Sequence, residues 1–299
     1  MGTPFQTGDV FIPGSFGVVE HRDRTGALIQ ELQIPGYEQI QYGWENNPIF
    51  DDQGNLYVVR NGQTQPVAVF AQNSDFVEFW PDLPVGETSL SDGAFSNGKI
   101  YAGSLVEPSA IYRYNLDGTR ETTITVNAGS AVRHVHIRDG IVYYGTDGDV
   151  SIFRYDLGAS ADLSPLVTFD PAQEDPVDQT FAVYETYLLK DGQFLVGVQT
   201  GAGANERGKV YVLNGAGAHI DTYIPSPSTV GAMLRVAPDR DPTYCWAASL
   251  DGHLFKINRL NRSTVFHLAF ASMVGLGTLG VMSAPPPPPD LRTWATVSN

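Results

Sequence analysis

Short runs in which β-branched or aromatic residues alternate with polar ones recur along the chain, each introduced by a polar pair and a glycine. The segments "DDQGNLYVV" (51–59), "FSNGKIYAGS" (95–104), "IRDGIVYYGT" (137–146) and "LKDGQFLVGV" (189–198) align on glycines at 54, 98, 140 and 192. An Asp-Gly or Asn-Gly pair supplies the positive φ angles of a tight hairpin turn, and the run after it supplies a strand. "PDRDPTYCWAAS" (238–249) is a fifth copy with Asp-Pro in the turn, and "QTGDVFIPGS" (6–15) is a sixth with Gly8 in that place. A second hairpin follows the first, as in "HRDRTGALIQEL" (21–32), "YNLDGTRETTITV" (114–126), "LNGAGAHIDTYI" (213–224) and "INRLNRSTVFHL" (257–268).

Four strands per unit, six units and a period of about 40 to 50 residues predict an all-β chain folded as a six-bladed β-propeller with four-stranded antiparallel blades. In the middle units an inner strand precedes the glycine turn, but almost nothing precedes Gly8. "LGTLGVMSAP" (276–285) reads as an inner strand with no blade after it. We therefore expect it to complete the first blade and close the ring, so that neither terminus leaves a long unpaired edge. The domain division that follows is a propeller over 1–285 and a proline-rich tail over 286–299.

The glycines at 275, 277 and 280 match a dinucleotide fingerprint, but "MSAPPPPP" follows where that motif needs a helix. Residues 265–284 are apolar enough to span a bilayer. His267, the glycines in the run and the blades' need for these strands favour the propeller, so no membrane insertion is expected.

With 42% hydrophobic and 17% charged residues the chain can bury a large core, and 31 glycines, 14 tyrosines and 15 phenylalanines suit short strands joined by tight turns. A net charge of -15 disfavours nucleic acid and anionic membrane surfaces. Cys245 is the single cysteine. It allows no internal disulfide and no cysteine-based zinc site, and "TYCWAAS" places it in a strand as a buried, inert thiol. The segment "MGTPFQTGDVF" lacks the basic and apolar regions of a Sec-type signal.

Motifs of chemistry are sparse. There is no G-x-S-x-G elbow and no H-E-x-x-H. "GANERGKV" (203–210) ends in Val and leads into a strand, so it reads as a loop and not as a phosphate cradle. The "NRS" sequon at Asn261 carries no weight without a secretion signal. In "RHVH", His134 and His136 lie two apart on a strand and share a face, a weak candidate pair for a transition metal.

Residues near the starts of inner strands should line the channel mouth, which nominates Glu45, Asn46, Asp92, Arg133, His134, Glu185 and Arg235. By repeat pattern over residues 6–285 the chain resembles the NHL, strictosidine-synthase and senescence-marker-type six-bladed propellers. In the lactonase branch a calcium ion sits at the channel mouth on Glu, Asn and Asp. The resemblance thus implies, as an alternative, a calcium-dependent lactonase or esterase with Glu45, Asn46 and Asp92 as candidate ligands. No catalytic residue is nominated and no cofactor is expected otherwise.

After the ring, "PPPPPDLRTWATVSN" (285–299) should extend as a stiff polyproline II arm. Pro285, Pro287 and Pro289 would stiffen it, and Leu291 and Trp294 would be its anchors, Trp being a preferred interface residue. The leading expectation is a non-enzymatic structural protein whose partners are other structural proteins of a large assembly. By analogy with propellers of bacteriophage particles, the setting is a virion, as a minor tail or capsid-associated component, with the cytoplasm as the alternative. A further alternative is a glycan-binding adhesin using Trp44, Trp80 and Trp246.

Overall fold

The computed structural model describes residues 2–13, 17–36, 48–60, 65–83, 89–106, 108–126, 130–146, 150–226, 233–249, 252–269 and 280–281. They form six four-stranded antiparallel sheets arranged as a six-bladed β-propeller. Blade one holds β1 (Val10–Pro13), β2 (Val18–Arg22) and β3 (Leu28–Gln33). Blade two is β4 (Pro48–Phe50), β5 (Leu56–Val59), β6 (Val67–Phe70) and β7 (Phe76–Phe79). Blade three is β8 (Leu90–Ser96), β9 (Lys99–Ser104), β10 (Ala110–Tyr114) and β11 (Arg120–Thr125). Blade four is β12 (Val132–Arg138), β13 (Ile141–Thr146), β14 (Ser151–Asp156) and β15 (Ala161–Thr168).

A four-residue helix, α1 (Pro171–Glu174), leads into blade five, which is β16 (Phe181–Leu188), β17 (Phe194–Thr200), β18 (Arg207–Leu213) and β19 (His219–Tyr223). Blade six is β20 (Met233–Pro238), β21 (Tyr244–Ser249), β22 (His253–Asn258) and β23 (Thr264–Ala269). The last strand, β24 (Gly280–Val281), pairs antiparallel with β1 through Val281–Val10 and Gly280–Phe11, closing the ring as the sequence predicts. No helix among the described residues is long and apolar enough to cross a membrane. Residues 203–205 form a 3-10 turn that feeds β18.

The turns follow their chemistry. Asn97–Gly98 and Asp139–Gly140 hold positive φ at both positions, the backbone of a type I′ hairpin. Second hairpins also occur in blades two and four, where the sequence pattern is least plain. Their left-handed residues are Ser74 (φ 72°) and Ser160 (φ 52°) in place of glycine, with neighbouring Asp and Asn side chains bonding turn amides.

Six apolar clusters fill the six interfaces between adjacent blades. Side-chain alternation divides each second strand between two of them. In β5, Leu56 and Val58 face blade one while Tyr57 and Val59 face blade three. In β21, Cys245 and Ala247 face blade five while Trp246 and Ala248 face blade one. A strand buried on both faces needs a continuous apolar run, which explains "LYVV" and "YCWAAS". The Cys245 thiol is buried and its pKa is pushed up to about 12 by that burial, so it is inert.

Candidate functional site at the propeller axis

Four successive blades bring one polar residue each toward the axis by the same local device. In β8, β12, β16 and β20 the pairing with the next strand slips, between Leu90 and Gly93, Val132 and His134, Val183 and Glu185, and Met233 and Arg235. A bulge bends its strand and re-aims the side chain. The residues so placed are Asp92, His134, Glu185 and Arg235, and all four are buried.

Small residues on the second strand make the room. His134 pairs with Gly145, Glu185 with Gly197 and Arg235 with Ala248. A Cβ on Gly145 would lie 2.2 Å from His134 Cε1, so the imidazole rests directly on the Gly145 backbone. Gly103 does the same for the bulge in β8, where a Cβ would meet Ser91 Oγ at 2.6 Å.

Arg235 Nη1 donates to Glu185 Oε2 at 2.8 Å, to the Tyr184 carbonyl at 3.1 Å and to Asp92 Oδ2 at 3.4 Å. Asp92 also accepts from the Gly93 and Val135 amides at 2.6 and 3.3 Å. Burial, reinforced by the Asp92 charge, raises the Glu185 pKa well above the carboxylate range. Burial raises Asp92 too, against the pull of Arg235. The guanidinium is disfavoured by burial, but the two carboxyls outweigh that and raise its pKa.

One cation among two carboxyls is balanced when Glu185 keeps its proton and hydrogen bonds Asp92. Burial, then the charge of Arg235, lowers His134 to about 3, so it is neutral. Neither of its ring nitrogens has a hydrogen-bond partner among the described residues.

The fold thus joins Asp92, Glu185 and Arg235 from three blades and sets His134 beside them. Arg133 occupies the bulge, half-buried, which puts His134 in register with Gly145. His136 packs on Tyr187 at a tilt of 42°, ring centroids 4.4 Å apart, and no group of three or more His, Cys, Asp or Glu suited to a metal occurs among the described residues. Glu45, Asn46, Trp44 and the tail residues Pro285, Pro287, Pro289, Leu291 and Trp294 lie outside the described residues. Asp92 does not suit the calcium role, because a cation there must first displace Arg235. Trp80 and Trp246 are buried in the blade interfaces, with their indole N–H groups bonded to the Leu116 carbonyl and to Asp239, so neither offers a face to a sugar.

Sequence reasoning missed the opposite ends of the inner strands. There, between blades four, five and six, lies a cleft of about 790 Å³. Its charged residues include Lys190, Asp191, Asp239 and Arg240 from the hairpin turns and Arg138 from the end of β12. The basic residues beside the turn carboxylates in "IRDG", "LKDG" and "PDRDP" were the available signal.

No protein-family model matches the chain, and no curated protein matches it in sequence. Among solved structures, 1398 chains match. One from the crystal structure of a nidogen/laminin complex has a TM-score of 0.68 and 11% sequence identity, covering 92% of this chain and 99% of its own length. At that identity the likeness shows the fold, a six-bladed β-propeller.

Proposed function

We propose that the protein is a non-enzymatic interaction propeller, a rigid ring that engages neighbouring proteins in a large assembly. The observation that carries this reading is the Arg235–Glu185–Asp92 group. Among the described residues, the charges of Arg235, Glu185 and Asp92 on the axis are spent on one another, bridging three blades, so they reinforce a scaffold. The structural neighbour belongs to a complex between proteins, which supports protein partners. In its finer form the reading is a bacteriophage virion component, a minor tail or capsid-associated protein, supported by the propeller architecture and by an acidic chain unsuited to nucleic acid. Mass spectrometry of gradient-purified particles should recover the chain, cross-linked to other particle proteins. Recovery only as a free monomer would sink the reading.

A further inference from the structure

The cleft at the ends of the inner strands is a positive spot on a chain of net charge -15. Its two carboxylates are already matched: Asp191 pairs with Arg259 at 3.2 Å and Asp239 with Lys256 at 2.7 Å. Lys190 and Arg240 are exposed at its rim and form no ion pair among the described residues. Arg138 also lines the cleft but is already engaged, paired with Asp139 at 3.6 Å and donating to the Leu188, Leu189 and Lys190 carbonyls. His136, Tyr187, Leu188 and Pro238 supply the wall, which is apolar along Tyr187, Leu188 and Pro238. Unmatched cations around a partly apolar hollow of this size suit an anion carried on an aliphatic stem.

We propose that this cleft docks a carboxylate side chain from an acidic segment of a partner protein. Lys190 and Arg240 take the charge, and the apolar wall takes the stem and a neighbouring hydrophobic residue. The inference rests on the protein-binding reading above and gives that reading a site.

The test is fluorescence anisotropy of the full-length chain with a labelled peptide, acetyl-(Leu-Glu)3-amide, beside a control with Lys for Glu and an oligogalacturonate. The acidic peptide should bind saturably at about 50 mM salt and weaken toward about 500 mM. Lys190→Glu with Arg240→Glu should cost about tenfold or more at an unchanged melting midpoint. Absence of saturable binding, binding untouched by the double substitution, or binding of oligogalacturonate in place of the peptide would overturn the proposal. A chain found in an assembly with other proteins that nevertheless ignores the peptide sinks this inference alone, whereas a chain found only as a free monomer sinks the broader reading.

Discussion

Arg235 Nη1 donates to Glu185 Oε2 across 2.8 Å, from the inner strand of blade six to that of blade five. The same nitrogen reaches Asp92 in blade three, so one guanidinium ties the adjacent blades five and six to blade three, which borders neither of them. The propeller therefore has a polar lock on its axis in addition to the six apolar interfaces around it.

Removing the cation should be costly. Arg235→Met strands two buried carboxyls and is expected to lower stability by about 3–5 kcal/mol, read as a drop of roughly 10 °C in the melting midpoint. Adding Glu185→Gln, which mimics the protonated acid, should return part of that loss. Equal midpoints for wild type and Arg235→Met would remove the lock.

His134 governs the acid response. Its folded pKa of about 3 lies below the usual histidine value, so its contribution is complete above about pH 6.5 and is lost as pH falls toward about 3. In that window the unfolded chain takes up a proton that the folded chain refuses, at about 1.4 kcal/mol per pH unit. His136 acts in the same direction, lowered by burial and by Arg138 to about 4, but its ring is partly open to the cleft. Denaturant titrations between pH 7 and 4.5 should show His134→Leu losing stability less steeply than wild type. Parallel slopes would mean that His134 takes up its proton in the folded state.

Gly145 and His134 should behave as one unit. Gly145→Ala brings a Cβ into the imidazole and should cost about 1–3 kcal/mol. In the background of His134→Ala the same change should cost little, a coupling that a double-mutant cycle reads directly.

Closure through β24 predicts an asymmetry between two truncations. Deleting residues 276–299 removes the strand that pairs with Val10 and Phe11 and should lower the midpoint far more than deleting 286–299. Equal effects would show that the pairing contributes nothing.

Calcium should leave the protein unmoved. An ion at a hundred times its dissociation constant stabilises by about 2.7 kcal/mol, several degrees for a domain of this size. Melts in calcium and in chelator are expected to coincide. A clear upward shift in calcium would return Asp92 to the role of a ligand and make lactones and esters the substrates to try.

The number of blades, their hairpins and the closing strand were legible in the chain because each rests on local chemistry. Glycines with positive φ at 54, 98, 140 and 192 mark turns whatever lies around them, and continuous apolar runs mark strands packed on both faces. The weaker hairpins of blades two and four hid because Ser74 and Ser160 take the left-handed positions that glycine advertises.

At the site, the sequence determined which residue types sit near the starts of the inner strands, and Asp92, His134, Glu185 and Arg235 could be named from position alone. Only the tertiary structure decided that they meet, that Arg235 neutralises two carboxyls, and that Lys190 and Arg240 are left unmatched at a cleft on the opposite end. Asp92 and Arg235 are 143 positions apart. Their contact depends on how bulges aim side chains and how six interfaces set the blades around one axis, and no local pattern in the chain encodes that sum.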